Sequence, residues 1–94
     1  MNRSAIHELR DAIRLAHGCD ARWVMSVAVR EPYWSGEVQV FQLVGHPSAD
    51  RCYAWSQLIG PERRAHAVLN GATVQSAAEA VRATIMARER TRVL

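Results

Sequence analysis

Apolar residues recur at helical spacing from Ser4 to His17, where Ile6, Leu9, Ile13 and Ala16 share a stripe and Arg10, Asp11 and Arg14 lie off it. This predicts an amphipathic helix with Ser4 as N-cap, ended by Gly18, which tolerates the left-handed conformation that follows many helices. Arg22 to Arg30 then alternates, with Trp23, Met25, Val27 and Val29 on one side and Arg22, Ser26 and Arg30 on the other, the period of a strand. The segment Glu31-Pro32-Tyr33-Trp34-Ser35-Gly36 breaks the run and predicts a hairpin turn. Glu37 to Val44 is again strand-like but changes phase. Val38 and Val40 fall on one face and Phe41 and Leu43 on the other, so either a bulge lies near Val40 or both faces are covered.

Gly45 to Asp50 makes the next turn, and Arg51 to Ile59 a third strand with small Cys52, Ala54 and Ser56 opposite large Tyr53 and Trp55. After a turn over Gly60 to Arg64, Ala65 to Leu69 supplies a short fourth strand closed by Asn70-Gly71. Ser76 and Glu79, at capping-box spacing, open a last helix through Ala77, Ala80, Val81, Thr84, Ile85 and Arg88. The elements predict an α+β fold, a three- to four-stranded antiparallel meander flanked by an N-terminal and a C-terminal helix, with both helices on one sheet face.

A hairpin pairing Gly45 with Asp50 places Phe41 opposite Ala54, Leu43 opposite Cys52 and Val40 opposite Trp55. The helices then sit on the Phe41 side and leave Val24, Ala28, Val38, Val40, Tyr53 and Trp55 on the other. Burying each large apolar side chain is worth roughly 1.5–3 kcal/mol, so an uncovered face of this kind calls for a partner. The simplest partner is a second copy, which predicts a homodimer. The competing arrangement puts one helix on each side, or coils the sheet until Tyr53 and Trp55 enter the core of a monomer.

Ninety-four residues suit a single domain, 1–94, and 49% apolar with 22% charged residues is a globular composition. Met1 to Arg10 lacks the apolar core of a secretory signal and no stretch is long enough to cross a bilayer, so the cytoplasm is expected, with Cys19 and Cys52 reduced and no membrane partner. The formal charge is +3 and every basic side chain is arginine, a bias that fits a GC-rich genome. The densest basic run is Arg88, Arg90 and Arg92.

Chemistry-bearing motifs are sparse. His46, Asp50 and Cys52 are metal-ligating types, but the spacing matches no established site and a turn explains it, so neither metal nor cofactor is expected. Cys52 with His46 or His66 as base is the one nucleophilic pairing, and its small neighbours mark Cys52 first as a core residue. His7 and His17 stand singly. Phosphate loops and nucleophile elbows are missing, which favours a binding protein over an enzyme.

Two surfaces could bind. Tyr33 and Trp34 at a turn, with Val38, Val40, Tyr53 and Trp55 on the open face, make an interaction surface. Arg22, Arg30 and Arg51 around Tyr53 and Trp55 could hold nucleic acid by pairing guanidinium groups with phosphates while bases stack. The element order resembles double-stranded RNA-binding domains in outline only, since Gln75, Ser76, Ala77 and Ala78 replace the basic cluster those domains carry at their last helix. The run Gly36 to Pro47, with Ala49, Arg51 to Trp55 and Ala80-Val81-Arg82-Ala83, resembles small proteins of high-GC proteobacteria that are often encoded with mobile or accessory genes. That resemblance covers about Trp34 to Ile85 and implies accessory status but no activity. The leading expectation is a small homodimeric interaction or adaptor protein. The alternatives are a nucleic-acid-binding regulator and a small-molecule-binding protein or enzyme with a Cys/His site.

Overall fold

The computed structural model describes residues 3–93 and the side chains of all of these except 3, 59 and 88–93, so the Arg88-Arg90-Arg92 run falls outside the described side chains. In chain order the elements are α1 (Arg3–His17), β1 (Asp20–Glu31), β2 (Trp34–Val44), β3 (Arg51–Ile59), β4 (Glu62–Leu69) and α2 (Ala77–Val93). The strands form one antiparallel sheet in the order β1-β2-β3-β4, the expected α+β meander. No described helix is long and apolar enough to cross a membrane.

Local chemistry sets most of the boundaries. Gly18, at φ 68°, ends α1 and its N–H reaches the Arg14 carbonyl at 2.9 Å. Ser4 lies inside the first turn of α1 rather than before it. Gly60 takes a positive φ of 63° at the first central position of the β3–β4 turn, as type II′ hairpins require, and Ile59 pairs with Glu62. Two residues therefore suffice for this turn, and β4 starts three residues earlier than expected. At α2, Ser76 Oγ accepts the Glu79 N–H at 3.2 Å and the Glu79 carboxylate accepts the Gln75 N–H at 3.2 Å.

The two helices lie on opposite faces of the sheet, not on one. Leu9 and Ile13 of α1 pack with Ala21, Phe41, Leu43, Cys52 and Ala54, whereas Ala77, Ala80 and Val81 of α2 pack with Val29, Val38, Val40, Tyr53 and Trp55. The phase change in β2 is thus a strand buried on both sides. The bulge is in β1, where the register slips between Trp23 and Met25. Trp23 stays opposite Phe41 on the α1 side, while Met25 and Val27 pair with Val40 and Val38 on the α2 side. One extra residue at Val24 therefore splits a set of side chains that simple alternation keeps together.

The β2–β3 register also differs from expectation. Val40 pairs with Tyr53 and Phe41 with Cys52, two positions from the predicted partners. His46 closes the intervening loop, its Nδ1 accepting the N–H groups of Ser48 (3.1 Å) and Ala49 (3.0 Å). A shift of two keeps every side chain on its face, which is why the facial sets of β2 and β3 hold while the pairs do not. Trp55 is the centre of the α2-side core, 1% exposed, with its ring centroid 6.2 Å from that of Trp34 and 5.2 Å from that of His66.

Candidate functional site: an arginine cleft at the open edge of the sheet

The expected aromatic surface is interior. Val38, Val40, Tyr53 and Trp55 are all buried beneath α2, so none of them can meet a partner while the monomer is folded, and the reason for a homodimer through that face disappears. The hairpin aromatics part company. Trp34 is half-buried against the same core, whereas Tyr33 is exposed and its hydroxyl accepts a bond from Arg82 Nε at 3.1 Å, with Arg82 Nη2 also 3.4 Å from Glu31.

The Cys/His possibilities are dispersed in the same way. Cys52 is fully buried, and desolvation, followed by the proximity of Cys19, pushes its thiol up to about 12, far from the thiolate that nucleophilic chemistry needs. His46 is spent on its loop, Asp50 accepts a bond from Asn70 Nδ2 at 2.7 Å, and His17 Nε2 donates to the Ala67 carbonyl at 2.9 Å. Among the described residues no three His, Cys, Asp or Glu side chains gather in a way that could hold a metal ion.

Two of the three predicted arginines are brought together. Arg22 pairs with Gln42 and Gln42 with Arg51, so these exposed residues form one cross-strand row on the α2-side face, at the end of the sheet nearest the start of β1. Arg30 pairs with Ser35 near the β1–β2 hairpin and belongs to the other face.

The row begins at a cleft that sequence patterns did not reveal. Where α1 passes over the start of β1, a half-open cavity of about 400 Å³ is lined by Arg10 and Arg14 of α1, Arg22 and Trp23 of β1, and Asp20, with apolar Ile6 and Val44 at its sides. The lining thus holds three arginines and one carboxylate. Asp20 is already committed, its Oδ1 lying 2.8 Å from Arg14 Nη2 and 3.1 Å from Arg14 Nε. Arg10 is half-buried and Arg22 exposed, and neither guanidinium has a hydrogen-bond or ion-pair partner among the described residues. Arg10 and Arg14 are also one turn apart on the same helix, a like-charge arrangement that costs about 0.2–0.5 kcal/mol.

Trp23 gives the cleft an aromatic wall. Trp23 as a residue is 42% exposed, yet its Nε1 donates at 2.8 Å to Oε1 of Gln39, which is fully buried and also accepts Ser26 Oγ at 2.6 Å. An exposed indole is therefore tied to the interior of the sheet. The signal that could have found this is Gln39 itself, a polar residue flanked by Val38 and Val40 in an otherwise apolar stretch. No family model, curated protein or solved structure matches the chain.

Proposed function

We propose that the protein is a non-catalytic binding module whose contact surface is the arginine cleft and whose partner is a polyanion. The observation that carries this reading is Arg10, a half-buried arginine whose guanidinium has no partner among the described residues, in a cleft that already holds Arg14 and Arg22. A guanidinium without an acceptor keeps its fork of N–H donors open, and an anionic ligand can fill them. Sealed Cys52 favours binding over catalysis, and two free thiols suit a cytoplasmic setting. Isothermal titration with tripolyphosphate at low salt should show binding that weakens as salt rises and that Arg10→Gln or Arg22→Gln reduces. Absence of binding at low salt, or binding indifferent to both substitutions, refutes the proposal.

A protein partner remains the second reading, on a separate observation: Trp23, Val24 and Met25 are 42%, 43% and 48% exposed on an edge strand. An extended segment could add to β1, although the bulge at this point is a feature that discourages edge pairing.

A further inference from the structure

Resting on the reading of the cleft as a polyanion site, we infer that its ligand is single-stranded nucleic acid, with one base stacked on Trp23 and adjacent phosphates held by Arg10 and Arg22. Three features distinguish this ligand from other polyanions. First, the cleft joins cations that lack a partner among the described residues to an exposed tryptophan, whereas polyglutamate or free polyphosphate has no ring to place there. Second, the Trp23 indole is already held by its bond to buried Gln39, so a base that stacks on it meets a surface that need not be ordered first. Third, the positive surface continues past the cleft. The Arg22-Gln42-Arg51 row places a further guanidinium two strands away, roughly 10 Å from Arg22 by strand spacing, with a side-chain amide between them that can both donate to and accept from a base edge.

The nearby acids offset part of this surface and not Arg10 or Arg22: Asp20 and Asp11 lie against Arg14, and Asp50, which keeps its charge while accepting a bond from Asn70, lies beside Arg51. A duplex is a poor fit, because its bases are stacked on one another and withheld from Trp23, whereas a single strand exposes them. The volume of about 400 Å³ is in the range of small-ligand sites and has room for a nucleotide unit.

The test compares a twelve-residue oligothymidylate with an abasic strand of equal length and charge, bound to the intact chain and followed by tryptophan fluorescence. Trp23 is the reporter, since Trp55 is buried and Trp34 half-buried. The oligothymidylate should quench fluorescence and bind about 5- to 150-fold more tightly than the abasic strand, the contribution of one stacked base. Measured by isothermal titration, which needs no indole at position 23, Trp23→Leu should bring oligothymidylate affinity down toward that of the abasic strand, while Trp23→Phe, which keeps a ring, retains most of the difference. Arg10→Gln and Arg22→Gln should weaken both strands and lower the salt slope by about 0.7 each. Equal affinity for the two strands overturns the nucleic-acid inference but leaves the polyanion site standing, whereas failure of both strands and of tripolyphosphate removes the site itself. Tighter binding of duplex, or of polyglutamate with the same arginine dependence, also overturns the inference and assigns the cleft to that ligand.

Discussion

Gly36→Ala isolates one contact with unusual clarity. Gly36 lies in β2 opposite Val29, and the ring of Trp34 folds back across it, so that a methyl group at position 36 would sit 2.8 Å from Cη2 and 2.9 Å from Cζ2 of that indole. Gly36 is not among the glycines with positive φ, so alanine meets no backbone strain and, with room, would stabilise the fold by about 0.4–1 kcal/mol through the unfolded chain. There is no room. The Trp34 ring is packed beside Trp55 and the α2-side core, and forcing it aside is an overpacking cost of about 1–3 kcal/mol. Gly36→Ala should therefore destabilise the protein by roughly 0.5–2 kcal/mol.

Trp34→Leu removes the atoms that collide, and in that background the same Gly36→Ala change should become stabilising by about 0.4–1 kcal/mol. Urea unfolding of the four proteins closes a double-mutant cycle in which the packing lost with the indole cancels, leaving a coupling of about 1–3 kcal/mol. Additive effects, or a Gly36→Ala penalty that survives in the Trp34→Leu protein, would refute the argument that the indole fills this space.

Trp55→Ala should cost about 3–5 kcal/mol in urea unfolding, and Trp55→Arg should yield unfolded protein by circular dichroism rather than a folded, dissociated monomer, because the indole is core and not interface. Stability should fall by about 1.4 kcal/mol per pH unit above pH 9 through Cys52: the unfolded thiol ionises near 9 and the folded one only at about 12, so the unfolded state holds fewer protons in this window. Cys52→Ala should remove that component when urea midpoints are compared across the range. Gln39→Met exchanges two accepted hydrogen bonds for relief of a buried Nε2 that lacks a partner among the described residues, so stability should change by less than about 1.5 kcal/mol while Trp23 fluorescence anisotropy falls as the indole is released.

Element types were legible because each segment carries its own period and its own punctuation: Gly18 after α1, Gly60-Pro61 between β3 and β4, Ser76 and Glu79 at α2. The face taken by each helix was not. The stripe of Ile6, Leu9 and Ile13 fits either side of a sheet whose central strands are apolar on both, and only the covering of Val38 and Val40 as well as Phe41 and Leu43 decides the matter. The β1 bulge leaves no mark at Val24, a strand former like its neighbours, yet it sends Met25, Val27 and Val29 to the α2 side. Of the site, Arg22 and Arg51 were visible as charge on strands. Arg10 and Arg14 read as the solvated side of a helix, and Trp23 as an inward residue, because their meeting depends on α1 crossing the edge of β1.

That crossing follows from a mismatch of lengths. A helix of 15 residues spans about 22 Å and a strand of 12 about 40 Å, so one helix shelters only part of the sheet face beneath it. The helices are offset: α1 covers the end holding Ala21, Leu43 and Cys52, and α2 reaches toward Val29 and Trp34 at the hairpin. Two diagonal quarters are left open. The one on the α1 side carries Ser26, Ala28, Ser35 and Ser56 with Arg30 and exposed Leu58. The one on the α2 side carries Arg22, Gln42 and Arg51, and it meets the overhanging Arg10 and Arg14 at the β1 edge. The basic surface thus arises where the cover of one face ends and the helix of the other projects. Neither core cluster includes any of its arginines, so replacing them should leave stability within about 0.5 kcal/mol. Loss of binding in those variants then measures the cleft and not the fold.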